Sequence, residues 1–258
     1  MVEGTEVDGR KVSFRRESGD TPTLVCIHGS ADNHHAYDRL FAELTDVARI
    51  AVDSPGRLGT EGPPLDNVSA LAAFVSGFVE AEVKGDYIVV GHSVGGAVAI
   101  EHALMGSSER LKGVVLLATG ARLRVHPAIL HLFERLTATR TPPDPTPGLF
   151  QPGADPALIA EVTEVLHMTP PATGLADWTA SNAFDRMQEV TNIAVPALII
   201  AGTVDALTPP KYAEYLHAHI PRSKLLVLEG AGHMFPIERA AEVAEAIRGF
   251  LSEQPDPG

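Results

Sequence analysis

The chain reads as an α/β fold, a mostly parallel twisted sheet covered by helices on both faces, with a block of helices inserted between two of its strands. Three observations predict it. Short continuous apolar runs alternate with longer stretches of helical periodicity, the pattern of strands buried on both faces and joined by crossover helices. The 258 residues, 45% of them hydrophobic, suffice for one domain with a large core. The alternation then stops between about residues 121 and 190, which sets 1–120 and 191–258 as core and 121–190 as the insertion.

Taken in order, Glu3 to Val7 and Lys11 to Arg16 form an edge hairpin. Strands follow near 23–27, 49–52, 87–90, 111–118, 196–201 and 224–228, and helices near 35–45, 66–83, 94–105, 209–219 and 237–252. The insertion offers helices over Ala128 to Ala138, Asp155 to Met168 and Gly174 to Arg186. A proline-rich tether, Thr141 to Gly148, stiffens the connection between the first two. Ser252 to Gly258, with two prolines, reads as a frayed tail.

Gly91-His92-Ser93-Val94-Gly95-Gly96 is the most informative stretch. It follows the apolar run Tyr87-Ile88-Val89-Val90 and precedes the helix-forming run Ala97-Val98-Ala99-Ile100. A strand that reverses into a helix so abruptly needs small flanking residues, because a Cβ there collides with the packed turn. The apex residue is forced outward beside a helix N-terminus, the geometry an attacking serine needs. Chance produces Gly-x-Ser-x-Gly as well, so partners matter. Asp205 lies just past the apolar run Pro196 to Ala201, where open parallel sheets keep their active-site residues, although a turn or helix cap is its ordinary use. His233 follows Gly230-Ala231-Gly232, whose glycines let a loop lay an imidazole over the sheet.

With Ser, Asp and His in that chain order, the sequence resembles the α/β-hydrolase fold family from about Val12 to Leu251. The resemblance implies a nucleophile at Ser93, an acid at Asp205 and a base at His233. In some members the acid follows an earlier strand, but Thr119-Gly120 stands there in this chain. His28-Gly29-Ser30-Ala31 resembles the family's His-Gly-x-Gly oxyanion segment, which implies that the backbone N–H groups of Ser30 and Val94 face the developing oxyanion. Ala31 departs from the final glycine of that pattern. His28 is expected to pin the loop rather than to act as a base, and Asp53-Ser54-Pro55-Gly56-Arg57, similar to the family's Asp-x-Pro-Gly turn, to be structural. The insertion is then expected to act as a helical cap that forms most of the substrate pocket.

In the cap, Arg122, Arg124, His126, His131, Arg135 and Arg140 gather against a single acid, Glu134. Arg122 and Arg124 are candidates for holding a substrate carboxylate by a bidentate guanidinium; the plainer reading points these side chains into water. Remaining histidines match no zinc signature, so no metal is expected, nor any cofactor. The net charge of −13 excludes nucleic acid and suits anionic membranes poorly. No stretch approaches the ~20 apolar residues that span a bilayer, and no basic segment followed by an apolar core opens the chain, so a cytoplasmic location is expected. Cys26, the single cysteine, falls inside a buried strand and excludes an internal disulfide. The expected partner is a small-molecule substrate, and an apolar outer cap face leaves a homodimer open.

Hydrolysis of a small carboxylic ester through an acyl-enzyme asks nothing beyond triad, oxyanion hole and pocket. Two alternatives share that machinery: hydrolysis of a carbon–carbon bond in a ketonic product of aromatic degradation, and cofactor-free perhydrolysis. A small-molecule receptor that retains the triad is the non-enzymatic alternative.

Overall fold

A computed structural model describes residues 2–106, 108–145 and 148–253. Residues 254–258 of the expected tail, and Thr146 and Pro147 of the tether, lie outside the described residues. Strands β1 (Val2–Val7) and β2 (Arg10–Glu17) form the edge hairpin, with Val2 opposite Arg15 and Val7 opposite Arg10. They are followed by β3 (Asp20–Ile27), β4 (Val47–Val52), β5 (Tyr87–His92), β6 (Leu111–Leu117), β7 (Ala197–Gly202) and β8 (Ser223–Leu228). The sheet order is β1-β2-β4-β3-β5-β6-β7-β8. Pairings from β4 through β8 are parallel, while β1–β2 and β2–β4 are antiparallel.

Every residue of β5 and of β7 is buried, as continuous apolar strands under two helical layers must be. Successive side chains serve opposite faces. Val25, Ile27 and Val89 join Phe14, Leu71, Val75 and Phe78 in one cluster. Leu24, Cys26, Ile88 and Val90 join Tyr37, Phe41, Val243, Ile247 and Phe250 in the other. The helices responsible are α2 (Val68–Glu82) and α3 (Val94–Met105) on the first face, α1 (Asp38–Glu43) and α9 (Ala240–Ser252) on the second. Helix α7 (Lys211–His219) packs with the first cluster through Ala213 and Leu216.

Between β6 and β7 the chain forms α4 (Pro127–Thr139), α5 (Pro156–His167) and α6 (Pro171–Ala183). Phe133, Leu158, Val162, Leu166 and Trp178 from these helices meet Ala31, Leu149, Met234 and Ile237 in a third apolar cluster. That contact fastens the inserted helices over the loops at the carboxyl ends of β3 and β8.

Three of the boundaries that depart from the sequence reading have a visible local cause. The helix expected at 35–45 opens with a 3-10 turn, His34–Tyr37, capped by the Asn33 side chain, which accepts from His35 N–H at 3.0 Å. The helix expected at 237–252 is two: α8 (Phe235–Glu238) closes with Arg239 N–H donating to Phe235 O, and the non-helical Arg239 (φ −127°, ψ 37°) separates it from α9. Helix α6 starts three residues before the expected Gly174, because Pro171 fits a first helical position whose N–H needs no partner. It ends at Ala183, since Asp185 bridges to Arg122 and Arg186 N–H donates to Ala121 O at 2.7 Å.

The strand order reverses about β3, whose neighbours β4 and β5 lie on its two sides. Open α/β sheets bind ligands outside the carboxyl ends at such a point. Here those ends carry Gly29 to Ala31 and Ser93.

Candidate active site

Ser93 sits between β5 and α3 at φ 55°, ψ −118°, a conformation that L-residues rarely hold. Its neighbours show why the turn needs glycine. A Cβ on Gly95 would lie 2.1 Å from Ile27 O, and one on Gly91 2.1 Å from Gly95 O, both backbone atoms that cannot step aside. The strained residue is held by Ser93 N–H donating to Leu117 O at 2.9 Å and by Thr119 Oγ1 donating to Ser93 O at 2.8 Å.

Asp205 is buried at the end of the β7 loop and its carboxylate is fully engaged. Oδ1 accepts from Leu207 N–H and Thr208 N–H, each at 2.8 Å, and Oδ2 accepts from Thr208 Oγ1 at 2.7 Å and from His233 Nδ1 at 2.8 Å. The ordinary turn role and the partnership with His233 therefore coexist in one side chain. Burial alone would raise the acid's pKa, but the His233 ring and the Thr208 donors together hold it well below the usual carboxylate range.

His233 reaches Asp205 because the loop behind it is compressed. A Cβ on Gly232 would meet the Phe150 backbone at 2.4 Å, and Met234 N–H donates to Leu149 O at 3.0 Å. Its other neighbour is His92, whose Nε2 donates to His233 O at 3.1 Å. Burial and the neighbouring His233 push His92 down to about 3, so the ring stays neutral, with Nε2 as its one donor.

Ser93 and His233 line one cavity of about 30 Å³ with Gly29, Ser30, Asp32, His92 and Trp178. Among the described residues, no hydrogen bond of 3.5 Å or less joins Ser93 Oγ to the imidazole; catalytic hydrogen bonds are often long before substrate arrives. A second cavity, about 100 Å³, also borders Ser93 and is lined by Leu123, Ile129, Trp178, Leu207 and Thr208. The N–H groups of Ser30 and Val94 donate to no protein acceptor among the described residues, which leaves both available beside Ser93.

The loop carrying Ser30 is pinned from both sides. His28 is buried, donates through Nδ1 to Gly29 O at 2.9 Å and accepts from Ser54 N–H at 3.3 Å through Nε2. Desolvation first, and Arg57 second, keep its pKa far below the usual range, so it is a neutral loop pin. In the turn after β4, Asp53 accepts from His34 N–H at 2.8 Å and from His34 Nδ1 at 2.7 Å.

The sequence reading placed Arg57 in a structural turn without its partner, and missed Asp177 and Asp32. Arg57 Nη2 donates to Asp177 Oδ1 at 2.8 Å with both side chains at 3% exposure or less, and Asp177 Oδ2 accepts from Ala31 N–H at 2.9 Å. Ala31, at φ 60°, takes this left-handed turn without glycine because its N–H has that buried acceptor. No spacing signal could have found a pair 120 positions apart.

The two candidate arginines differ in placement. Both line an outer cleft with Lys211, Tyr212 and Tyr215, but only Arg124 also borders the larger Ser93 cavity. Both are about half exposed and lie 3.2 and 3.7 Å from Asp185, which already supplies a carboxylate. Among the described residues, no three His, Cys, Asp or Glu side chains gather closely enough to hold a metal ion. Nor is any helix there long and apolar enough to cross a membrane.

A sequence model of the alpha/beta hydrolase family matches residues 24–246. The chain belongs to that family. It is 28% identical to a pimeloyl-(acyl-carrier protein) methyl ester esterase of Neisseria meningitidis, over 92% of this chain and 98% of that one. Among solved structures, a thermophilic esterase superposes with a TM-score of 0.79 at 31% identity, with 98% of each chain covered. The enol-lactonase from Burkholderia xenovorans LB400 superposes with a TM-score of 0.86 at 23% identity, over 97% of this chain and all of that one, a likeness of fold.

Proposed function

We propose that this hydrolase cleaves a small carboxylic ester through an acyl-enzyme, with Ser93 as nucleophile, His233 as general base and acid, and Asp205 as the residue that orients it. The observation that carries the reading is the buried Asp205–His233 hydrogen bond of 2.8 Å beside a serine held at positive φ on the strand-to-helix turn. Serine attacks only as its proton leaves, so His233 takes that proton, returns it to the departing alkoxide and then activates water for deacylation. Asp205 keeps Nδ1 protonated, so Nε2 is the free basic nitrogen, and it stabilises the imidazolium that forms. Ser30 and Val94 N–H would meet the oxyanion in the transition state, where such a donor contributes on the order of 10²- to 10³-fold.

Residues 121–190 act in this reading as a cap, and the two cavities, about 30 and 100 Å³, favour short groups on both sides of the ester. The relatives named as esterases support ester chemistry over carbon–carbon cleavage. In the test, Ser93→Ala loses turnover of short p-nitrophenyl esters and labelling by a fluorophosphonate while keeping the wild-type circular dichroism spectrum. Steady turnover in that variant overturns the assignment, and a stoichiometric burst without turnover in the wild type favours the receptor.

A further inference from the structure

Trp178, the chain's single tryptophan, lies on α6 at 9% exposure, and its ring borders both cavities that flank Ser93. Its Nε1 is buried and has no hydrogen-bond partner among the described residues. Buried indole N–H groups are normally paired, and an unpaired one in a cavity wall calls for an acceptor from inside the cavity. The ring is not free to turn away. Phe133 packs 6.1 Å from it, and the preceding residue, Asp177, is locked by Arg57 and by Ala31 N–H. Other polar groups nearby are already engaged: Ser181 Oγ donates to Asp177 O at 2.9 Å and Thr208 Oγ1 donates to Asp205. The larger cavity adds Leu123, Val125, Ile129 and Leu207 together with Arg124 and His126, and the smaller adds Leu149, Leu166 and Met234 together with Ser30, Asp32 and His92.

We propose that Trp178 is a specificity-determining residue whose N–H binds an oxygen of the substrate, so that the site prefers short esters carrying an ether, keto or hydroxyl oxygen near the scissile carbonyl over hydrocarbon esters of equal size. The proposal deepens, and rests on, the assignment of Ser93 as nucleophile. An ester lacking that oxygen leaves the buried donor unmet, and the site discriminates by the unmet bond.

Two matched pairs test it: ethyl methoxyacetate against ethyl butyrate, and 2-methoxyethyl acetate against butyl acetate, each differing by one oxygen for one methylene. In Trp178→Phe, kcat/KM for the oxygen-bearing member of at least one pair should fall about three- to tenfold further than for its partner. The pair affected tells whether the acyl or the alcohol side carries the oxygen. Equal changes within both pairs overturn the proposal, since the N–H is then satisfied by solvent.

Ser93→Ala, which keeps Trp178, supplies a readout independent of the Phe variant's folding. Titration with the same esters should shift the emission of the one tryptophan and give tighter binding for the oxygen-bearing member. Identical responses within both pairs refute the role of Trp178. Turnover by Ser93→Ala would instead sink the nucleophile assignment, and the comparison of affinities would still judge Trp178.

Discussion

Asp177→Ala removes the acceptor that ties α6 to the loop carrying Ser30. Arg57 is left buried with Nη1 still donating to Asp32 O at 2.6 Å, but with no carboxylate opposite Nη2 and with Nε already without a partner. Breaking a buried ion pair from one side costs about 3–5 kcal/mol, because the remaining charge stays desolvated. The freed Ala31 N–H adds its own desolvation, on the order of 1–3 kcal/mol, though neighbouring losses of this kind do not add fully. With roughly 2–4 °C of melting temperature per kcal/mol in a chain near this size, Tm should fall by about 6–20 °C from the broken ion pair alone. Thermal unfolding followed by circular dichroism reads it. The double variant Arg57→Met/Asp177→Leu removes both charges and should recover much of that loss. In Asp177→Ala, kcat should also fall more than KM rises, since a displaced Ser30 N–H weakens a contact made mainly in the transition state. A Tm within 2 °C of wild type, or a double variant as unstable as both single losses summed, would refute the reasoning.

Asp205→Asn should lower kcat by roughly 10³- to 10⁴-fold with the fold intact, because an amide offers the imidazole the wrong hydrogen-bond polarity; steady-state ester kinetics measure it, and a loss under tenfold contradicts the orienting role. Gly95→Ala should fail to fold or lose Ser93 reactivity altogether, given a Cβ 2.1 Å from Ile27 O; a soluble variant labelled normally by fluorophosphonate would refute the packing argument. Asp32, buried beside the smaller cavity, is raised from 3.8 to about 7, chiefly by desolvation. The folded form therefore holds a proton that the unfolded chain has released, and stability falls as pH rises between those values. Asp32→Asn removes that dependence, so its Tm advantage over wild type should grow from pH 4 to pH 8, with a ceiling of about 4 kcal/mol. A difference independent of pH would contradict it.

What the residues reveal unaided is local or periodic. Gly91 and Gly95 mark the elbow because the clash they avoid lies within the turn and the adjacent strand end. The strands announced themselves because burial on both faces forbids polar residues, as in Tyr87 to Val90 and Ala197 to Ala201. Asp205 and His233 stood out by chain order and by following strand ends, both features of topology rather than of distance. Arg122 and Arg124 looked alike on the same grounds. Only packing separates them, since both line an outer cleft but Arg124 alone reaches the Ser93 cavity.

At the break by Arg239, Phe235 seats in the sheet-face cluster while Ile237 seats under the inserted helices, a division that helical periodicity does not report. The same holds for the anchor between Arg57 and Asp177 and for the unmet donor of Trp178. Sequence by itself determined the sheet, the order of its strands' chemistry and the turn that exposes Ser93, because each follows from repulsion or burial within a few residues. Tertiary structure alone decided which buried polar groups find partners, because a hydrogen bond joins atoms by distance in space, and spacing along the chain carries no record of that.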